Sequence, residues 1–291
     1  MSTYVVTGGS RGIGYFVAEQ LATAGHRVII AARDEKRADA AAASSRRHAP
    51  AAVVDFVALD TASLASVAAA ASQLGPIDGL ALNAGLTSKT DGREVTVDGF
   101  EKVMATNYLG HFALVAQAFS SLSATARVVS MGSMSTRLVT ADIADLMQQE
   151  GRYSSLKAYA YSKHAMQAFG FELDRRLRQG ASGIQSLIAH PGYALDVQAA
   201  PRPGINDQMS ARNRVGQHLL RPMTQGRDAG AAAMVRALTD PQAQGGEYYG
   251  PRNGLKGAPE RITAVPQDSD PAFGAELWRL SEQWAQLKFD L

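Results

Sequence analysis

Eight residues close to the N-terminus, Thr7-Gly8-Gly9-Ser10-Arg11-Gly12-Ile13-Gly14, constrain the fold of this chain more than any other stretch. They follow a short apolar run and precede a helical pattern that ends near Gly25. A strand, a glycine turn and a helix in this order are typical of a phosphate site, because the free N–H groups at the start of the helix face an anion. Gly8 permits the tight turn, and Gly12 and Gly14 leave room for a phosphate or for close packing. A glycine-rich turn without a ligand is the alternative.

The rest of the chain alternates apolar strands with helices. Strands are predicted at residues 4–6, 27–32, 53–58, 79–82, 126–130, 184–189 and 247–249. Further helices are predicted at residues 34–47, 62–74, 98–106 with a continuation to 122, 156–178 and 227–238. Alternation of this kind predicts a parallel sheet that is covered on both faces. We therefore predict an α/β fold, a doubly wound parallel sheet of the Rossmann type, in one domain of residues 1–250.

Two segments lie outside this alternation. Residues 193–226 interrupt it after the sixth strand, and a tail of residues 251–291 follows the last strand. The tail is predicted to contain a helix over residues 273–287, with apolar positions at Leu277, Trp278, Leu280, Trp284 and Leu287. The helical spacing of these side chains predicts a face that packs on the domain or on a partner subunit.

The composition argues against several classes of function. The chain has 291 residues, a net charge of +2 and no cysteine, so nucleic-acid partners, disulfides and thiolate metal sites are not expected. No metal site of another kind is predicted. No signal peptide precedes the first strand, and no apolar run approaches the ~20 residues of a membrane span. The sequence predicts a soluble cytoplasmic protein with no membrane partner, either a monomer or a homodimer.

The end of the second strand carries the signal for the nucleotide. An acidic residue at this place would bind a ribose 2′-hydroxyl, as in proteins that use NAD. Here the position is Ala32, Arg33 follows it, and Arg11 lies in the glycine turn. Two guanidinium groups suit a 2′-phosphate, so we predict NADP(H) as the cofactor. Asp34 is interpreted as the cap of the next helix, and two solvated surface arginines are the alternative.

The strongest catalytic signal is Tyr159, four residues before Lys163. Residues at this spacing share a helix face, and an ammonium group favours a nearby phenolate. We therefore expect the pKa of Tyr159 to fall from ~10 toward the working range, where a phenol can give or take a proton beside a carbonyl. Tyr153 and Lys157 repeat the spacing, but Tyr153 is predicted to precede the helix.

Other strand ends carry weaker signals. Asn83-Ala84-Gly85 after the fourth strand would let the backbone approach an adenosine ribose, or would be a plain turn. Ser133, just past the fifth strand, can hydrogen-bond a substrate oxygen or cap a turn. His190 is interpreted as a structural residue that holds the turn before Pro191, because no nucleophile turn of the form G-x-S-x-G is present.

Taken together, these residues resemble the short-chain dehydrogenase/reductase superfamily over about residues 3–250. TGGSRGIG is similar to its cofactor turn, NAG to its fourth-strand motif, and Tyr159 with Lys163 to its active-site pair. The stretches TVDGFEKVMATNYLGHF, RYSSLKAYAYSKHAMQAFGFELDRRL, HPGY and GGEYYGP resemble the retinol-dehydrogenase-like branch. Leu82 replaces the first asparagine of the motif NNAG that is frequent in the superfamily.

The resemblance implies a catalytic set and a mechanism. Asn107 and Ser133 would complete the set with Tyr159 and Lys163. Lys163 would bind the nicotinamide ribose and lower the pKa of Tyr159, while Asn107 would position Lys163 through water. Ser133 would hold the substrate oxygen, and hydride would pass between the nicotinamide and the carbonyl carbon as Tyr159 supplies the proton. The implied cofactor contacts are Gly8, Ser10, Arg11, Gly12, Ile13, Gly14, Arg33, Asp60, Asn83, Ala84, Gly85, Tyr159, Lys163, Pro191 and Gly192.

Residues 193–226 are predicted to form a lid over the substrate, with a flexible lead-in around residues 201–207 and a helix from about 206 to 220. A surface insertion that packs on the domain is the alternative. The residues predicted to line a pocket for a largely apolar carbonyl compound are Met134, Tyr193, Met209 and Leu219. The arginines of this segment would favour an acidic substituent or form a solvated face; they are Arg202, Arg212, Arg214 and Arg221.

The predicted function is therefore NADPH-dependent reduction of a ketone or aldehyde in a small, largely apolar molecule, with Tyr159 as the proton donor. An NADP-dependent alcohol dehydrogenase that works in the oxidative direction is one alternative. A non-catalytic NADPH-binding regulatory protein is the other, although such a protein has no need of a phenol beside a lysine.

Overall fold

The computed structural model of the protein describes residues 1–87, 92–206 and 220–291. A single sheet organises them. Its strands are β1 (Thr3–Thr7), β2 (Arg27–Ala32), β3 (Val53–Ala58), β4 (Ile77–Leu82), β5 (Leu122–Met131), β6 (Gln185–Ala189), β9 (Tyr248–Pro251) and β10 (Pro259–Arg261). Two further strands, β7 (Ala194–Leu195) and β8 (Gln225–Gly226), form a separate parallel pair. The order in the sheet is β3-β2-β1-β4-β5-β6-β9-β10, and only the edge pair β9 and β10 is antiparallel.

Helices cover both faces of this sheet. They are α1 (Gly12–Thr23), α2 (Glu35–His48), α3 (Leu64–Ala71), α4 (Lys102–Met104), α5 (Gly110–Ala118), α6 (Ser155–Gln179), α7 (Arg227–Thr239) and α8 (Pro271–Ala285). One apolar core lies under α1, α2 and α7, and the other lies under α3, α5 and α6. The predicted doubly wound α/β fold is confirmed, because both faces of the parallel sheet carry an apolar core.

The strand order reverses between β1 and β4. Strands β2 and β3 extend the sheet on one side of β1, and β4, β5 and β6 extend it on the other. The loops that follow β1 and β4 therefore leave in opposite directions and open a crevice at the carboxyl ends of the strands. The predicted glycine turn follows β1, and the predicted catalytic residues follow β5 or lie on α6, so the fold brings both to this crevice.

The structure differs from the sequence prediction at two places in the sheet. The helical pattern predicted to reach residue 122 ends in a 3-10 turn (Phe119–Ser121), and β5 already begins at Leu122. Strand β10 was not predicted, since three residues that begin with a proline carry no alternating signal. This strand pairs with β9 across the predicted boundary at residue 250, so the central sheet continues into the C-terminal tail.

The C-terminal helix packs on the domain, as the spacing of its apolar residues predicted. Leu277 and Trp278 are buried against the core under α6. The Trp278 ring stacks on Phe289 at 4.9 Å and on Phe169 at 5.9 Å between ring centroids. The Arg176 guanidinium lies 4.3 Å from the centroid of the Trp278 ring and covers it from the solvent side. Leu280, Trp284 and Leu287 are partly buried.

The segment predicted as a lid is described only at its two ends. Residues 193–206 and 220–226 meet through the β7–β8 pair, and a 3-10 turn (Arg221–Met223) precedes β8. Arg202 forms an ion pair with Glu19 of α1 at 2.7 Å, and Asn206 bonds the backbone of residues 200 and 202. The lead-in predicted to be flexible is therefore bonded to the domain, and the charge of Arg202 is already paired. The predicted helix over residues 206–220 lies almost entirely outside the described residues.

Candidate active site

The glycine turn has the geometry that its sequence predicted. Gly8 and Gly12 adopt φ angles of 66° and 62°, in the left-handed region that favours glycine. A Cβ atom on Gly14 would lie 2.3 Å from Asn83 Nδ2 and 2.4 Å from the Gly8 carbonyl oxygen. Helix α1 therefore approaches the ends of β1 and β4 at a distance that only glycine allows, and the start of the helix is open to an anion.

A threonine hydroxyl fixes the turn to the neighbouring strand. Thr7 Oγ1 accepts hydrogen bonds from the backbone N–H groups of Asn83 at 2.8 Å and Ala84 at 2.9 Å. The Asn83 side chain donates from Nδ2 to the Thr7 carbonyl oxygen at 2.9 Å. The segment Asn83-Ala84-Gly85 thus supports the glycine turn from β4, and Gly85 lies against Asn107.

His111 connects this support to the catalytic residues, and sequence reasoning missed it. Its Nε2 lies 2.9 Å from Thr7 Oγ1, and its Nδ1 lies 3.0 Å from the Asn107 carbonyl oxygen. Burial lowers the pKa of His111 to about 4, and the Lys163 cation acts in the same direction. The neutral ring therefore bridges the turn and the catalytic helix. A single histidine in a helical pattern gives no signal of such a role.

Two arginines predicted to select the nucleotide lie at the open side of the turn. Arg11 and Arg33 are both exposed, and in the described part of the chain neither forms an ion pair or a side-chain hydrogen bond. Asp34 accepts a hydrogen bond from the Arg37 N–H at 3.1 Å and caps α2, as predicted. The acidic group next to Arg33 is therefore engaged by its own helix, and both guanidinium groups remain available to a phosphate.

A third guanidinium group reaches the glycine turn from a distant part of the chain. Arg227 Nη1 would lie 3.2 Å from a Cβ atom on Gly12 and is 3.0 Å from Asp196 Oδ1. Burial raises the pKa of the Asp196 carboxyl, and the Arg227 cation counteracts this shift. Sequence reasoning missed Arg227, because more than 200 positions separate it from Gly12 and no local pattern links the two.

The predicted catalytic residues come together at the ends of β5 and α6. Ser133 follows β5, and its hydroxyl group accepts from the Ser135 N–H at 3.1 Å and lies close enough to the Tyr159 phenol to lower its pKa. Lys163 lies one helical turn after Tyr159, with Nζ 5.9 Å from the centroid of the phenol ring. The buried Nζ donates a hydrogen bond to the Met131 carbonyl oxygen at 2.8 Å. The structure thus places a phenol, a hydroxyl and an ammonium group next to one another at the crevice.

The acid–base properties of this group differ from the expectation. Burial raises the pKa of Tyr159, and the neighbouring Ser133 hydroxyl opposes the shift without reversing it. The expected fall of this pKa is therefore wrong for this arrangement, because burial is the largest effect on the phenol. Burial also lowers the pKa of Lys163 itself from 10.5 to about 8. Tyr159 consequently holds its proton at neutral pH and is ready to donate it.

Asn107 lies in a π-helical turn (Ala105–Leu109) between α4 and α5. Such turns are frequent at functional sites, because they redirect a side chain within a helix. The Asn107 side chain accepts from Leu86 N–H at 2.8 Å and donates to Ser162 Oγ at 2.9 Å. Asn107 therefore joins the loop after β4 to the residue that precedes Lys163, and it reaches the lysine through the helix backbone.

The positions of Tyr153 and His190 agree with the roles outside catalysis that the sequence predicted for them. Helix α6 begins at Ser155 with Ser154 as its cap, so Tyr153 precedes the helix, as predicted, and its hydroxyl donates to Glu101 at 3.1 Å. His190 Nδ1 accepts a hydrogen bond from the Gly192 N–H at 3.0 Å. Burial lowers the pKa of His190 to about 4, and this neutral ring holds the turn around Pro191 as the sequence predicted.

The remaining predicted cofactor residues follow the ends of their strands. Ser10 is buried in the glycine turn and Ile13 is partly buried at the start of α1. Asp60 lies two residues after β3 and accepts from the Ala62 N–H at 3.0 Å. Gly192 has a φ angle of 65°, and a Cβ atom there would lie 2.3 Å from the Leu255 carbonyl oxygen. All of these residues border the crevice at the carboxyl ends of the strands.

The predicted substrate residues are only partly described. Met134 is partly buried directly after Ser133, and Tyr193 is 42% exposed after the turn at Gly192. Met209 and Leu219 lie outside the described residues, as do Arg212 and Arg214. The tail also borders this region, which was not predicted. A Cβ atom added to Gly254 would lie 3.6 Å from the Met134 side chain.

These residues fit a nicotinamide dinucleotide. Helix α1 begins at the glycine turn, the Arg227 guanidinium reaches Gly12, and Tyr159, Ser133 and Lys163 lie at the ends of β5 and α6 in the same crevice. The fold and the site define a dinucleotide-dependent oxidoreductase. A family model for short-chain dehydrogenases matches residues 2–200. The chain belongs to the short-chain dehydrogenase family.

Similar proteins place it in the retinol-dehydrogenase-like branch. Polyprenol dehydrogenase from Mus musculus is 38% identical over 198 residues, which cover 65% of this chain and 58% of that protein. Retinol dehydrogenase 13 from Homo sapiens is 35% identical over 66% of this chain and 59% of its own length. The WW domain-containing oxidoreductase from Danio rerio is 33% identical over 97% of this chain and 68% of its own length. The matches therefore leave roughly two fifths of the first two relatives uncovered.

Solved structures agree with this assignment. A protein from Mycobacterium paratuberculosis has a TM-score of 0.82 and 33% identity over 100% of this chain and 96% of that one. A short-chain dehydrogenase from Burkholderia cenocepacia J2315 in complex with NADP has a TM-score of 0.59 and 25% identity, and covers 81% of this chain and 89% of its own. The chain is thus similar to oxidoreductases, and a structural neighbour binds NADP.

In the part of the chain that the structure describes, no helix is long and apolar enough to cross a membrane. The cytoplasmic location and the choice between monomer and homodimer stay predictions of the sequence.

Proposed function

We propose that this protein reduces a carbonyl group, in a ketone or an aldehyde, to an alcohol with NADPH as the hydride donor. The observation that carries the proposal is that the Tyr159 phenol, the Ser133 hydroxyl and the buried Lys163 ammonium group lie together at the crevice. A phenol with a raised pKa is a proton donor at neutral pH, whereas the oxidative direction needs a phenolate. The protonated phenol is the form that reduction uses, and we therefore propose the reductive direction.

Different residues would bind the diphosphate, the 2′-phosphate and the nicotinamide ribose of NADPH. The start of α1 and the Arg227 guanidinium would bind the diphosphate, because both present positive charge at the glycine turn. Arg11 and Arg33 would bind the 2′-phosphate. Lys163 and the turn Pro191–Gly192 would lie at the nicotinamide ribose and the nicotinamide, with Asn107 and Ser162 fixing the helix on which Lys163 lies.

The chain's own residues would then position the carbonyl and move one proton. NADPH, when bound, supplies the hydride that forms the new C–H bond. Ser133 donates a hydrogen bond to the substrate oxygen and keeps it beside the Tyr159 hydroxyl. The Tyr159 O–H bond breaks as the proton passes to that oxygen, and Lys163 stabilises the phenolate that is left.

A largely apolar substrate is proposed from two observations. Met134 and Tyr193 present apolar surface next to Ser133 and Gly192. Two similar proteins take their names from polyprenol and retinol, which are apolar alcohols. Met209 and Leu219 remain part of the proposal as further wall residues.

The proposal is tested with two matched tyrosine variants and a panel of ketones and aldehydes. Tyr159→Phe removes only the transferable proton, so kcat should fall by ~10²-fold or more while the Kd for NADPH is kept. Tyr153→Phe, which also loses one phenol hydroxyl but bonds Glu101 outside the site, should keep kcat within a few-fold. NADPH binding without turnover of any carbonyl compound would instead indicate a non-catalytic NADPH-binding protein.

A further inference from the structure

A buried histidine on the catalytic helix lies between two hydrogen-bond acceptors. His164 is 1% exposed and directly follows Lys163. Its Nδ1 lies 2.5 Å from Asp268 Oδ1, and its Nε2 lies 2.6 Å from the Val139 carbonyl oxygen. The Val139 carbonyl can only accept, so Nε2 donates to it, and one proton is shared between Nδ1 and Asp268 Oδ1. In the ionised form of this contact His164 is the cation and Asp268 its counter-ion, and we call it the His164–Asp268 ion pair.

Asp268 belongs to the C-terminal tail, 104 positions after His164. It is also 1% exposed and lies in a 3-10 turn (Pro266–Ser269) before α8. Its second oxygen accepts a hydrogen bond from Gln167 Nε2 at 2.9 Å. Gln167 Nε2 also donates to Thr136 Oγ1 at 3.1 Å, so it links Asp268 to the segment that contains Thr136. A tail carboxylate is therefore connected to both the catalytic helix and the segment that follows Ser133.

That segment, residues 133–141, is bonded at three further points, and we name it the serine loop. Thr136 Oγ1 donates to the Ser133 carbonyl oxygen at 3.2 Å and accepts from Gln167 at 3.1 Å. The Gln267 side chain bonds both backbone groups of Ala141, at 2.9 Å to the N–H and 2.7 Å to the carbonyl oxygen. The serine loop thus lies between α6 on one side and tail residues 267–268 on the other.

The tail also reaches the substrate side of the site. Gly254 lies against Met134, and the Leu255 carbonyl oxygen accepts the Tyr193 N–H at 2.8 Å. Gln225 bridges the Gly257 N–H at 3.0 Å and the Pro191 carbonyl oxygen at 2.8 Å. Two separate parts of the tail therefore contact the loops that carry Ser133 and Tyr193.

We propose that the C-terminal tail is part of the catalytic site, and that the His164–Asp268 ion pair positions Ser133 by locking the serine loop between the tail and α6. His164 and Asp268 are positioning residues, since neither touches the proposed substrate. The glycine turn, Arg11 and Arg33 lie outside this network. Loss of the ion pair should therefore affect the carbonyl substrate and leave NADPH binding intact.

The alternative is that the ion pair only stabilises the fold. Two comparisons separate these roles. Asp268→Ala removes the partner of His164, whereas Asp268→Asn can replace it. The Asn amide nitrogen can donate to Nδ1 of a neutral His164 while its amide oxygen accepts from Gln167 Nε2, so every existing hydrogen bond has a substitute. Ser281→Ala is the control, because it removes the buried hydrogen bond at 2.6 Å between α8 and Tyr108 and leaves the serine loop untouched.

The first measurement does not depend on activity, so it decides the inference even if the proposed function fails. Amide hydrogen exchange of residues 134–141 should accelerate in Asp268→Ala, and that of residues 8–14 should not. Asp268→Asn should restore most of the protection, and Ser281→Ala should not change it. Unchanged exchange of the serine loop in Asp268→Ala, or equal acceleration in Ser281→Ala, would overturn the inference.

The second measurement uses carbonyl reduction and therefore rests on the proposed function. A misplaced reacting group costs about tenfold to a hundredfold in rate, so kcat/KM for the carbonyl substrate should fall by at least about tenfold in Asp268→Ala. The Kd for NADPH should stay within about twofold, and Asp268→Asn should recover most of the rate. A parallel loss of NADPH affinity and carbonyl turnover, or the same kinetic loss in Ser281→Ala, would show that the ion pair supports only the fold.

Discussion

The buried Lys163, which we propose as the cation beside the proton donor, should lower the stability of the folded protein. Its side chain is 5% exposed, and burial lowers its pKa from 10.5 to about 8. At about 1.4 kcal/mol for each pKa unit, this fall corresponds to a cost of about 3 kcal/mol for keeping the ammonium group charged in the folded state. Lys163→Met removes the charge and keeps a long apolar side chain in its place.

The substitution also removes a hydrogen bond. The Met131 carbonyl oxygen loses its partner at 2.8 Å, which costs about 1–2 kcal/mol. The expected net result at pH 7 is a variant that is about 1–2 kcal/mol more stable than the wild type. The same variant should have lost nearly all carbonyl reduction, because the cation beside Tyr159 is gone.

The dependence on pH identifies the cause. Below about pH 8 Lys163 is charged in both the folded and the unfolded state, so the full cost is present. Between about pH 8 and 10.5 the unfolded chain binds the proton more strongly, and the wild type therefore becomes more stable as the pH rises. The advantage of Lys163→Met should shrink over this window. Urea unfolding of both proteins at pH 6.5, 7.5, 8.5 and 9.5 measures it; a variant that is less stable at pH 6.5, or a difference that does not change with pH, would refute the reasoning.

Three further substitutions test separate parts of the site and the fold. Arg33→Ala should raise the Kd for NADPH by about tenfold and leave the Kd for NADH unchanged. Tenfold is the lower end of the range for a charge-assisted hydrogen bond, because the Arg33 side chain is exposed. Equal affinity of the wild type for both nucleotides would contradict the assignment of Arg33 to the 2′-phosphate. Arg227→Gln should weaken the binding of NADPH and of NADH by the same factor, because both nucleotides carry the diphosphate. Arg236→Gln on the same helix should weaken the binding of neither nucleotide. Titration of both variants with each nucleotide, followed by protein fluorescence, measures the two affinities. Trp278→Ala should lower the free energy of unfolding by about 3–5 kcal/mol, because it empties the aromatic cluster between α6 and α8, and a change below about 1 kcal/mol in urea unfolding would show that this cluster contributes little.

Much of the architecture followed from local patterns. The strand–turn–helix sequence at residues 4–25 predicted the start of the sheet, because glycine at positions 8, 12 and 14 is required by backbone geometry within a few residues. The alternation of apolar runs predicted the remaining parallel strands for the same reason. Tyr159 and Lys163 were paired correctly because one helical turn separates them, and Tyr153 was separated from them because a capping serine follows it.

Only the tertiary structure decided how these residues behave. The pKa of Tyr159 depends on its burial and on Ser133, which lies on a different element, so the spacing to Lys163 alone gave the wrong direction. The position of Arg202 in a predicted lid suggested either a contact with an acidic substrate group or a solvated face, but the fold brings Arg202 to Glu19 on α1. Charges are paired by distance in space, and a sequence pattern reports distance along the chain.

The sequence by itself therefore determined the class of fold, the geometry of the glycine turn and the pairing of Tyr159 with Lys163 on one helix, because each is encoded in contacts between residues that are close along the chain. The tertiary structure alone decided that Arg227 lies at the glycine turn and that Asp268 of the tail binds His164 next to Lys163. These contacts join segments that are 100 or more residues apart, and they form only after the sheet has placed the ends of its strands side by side.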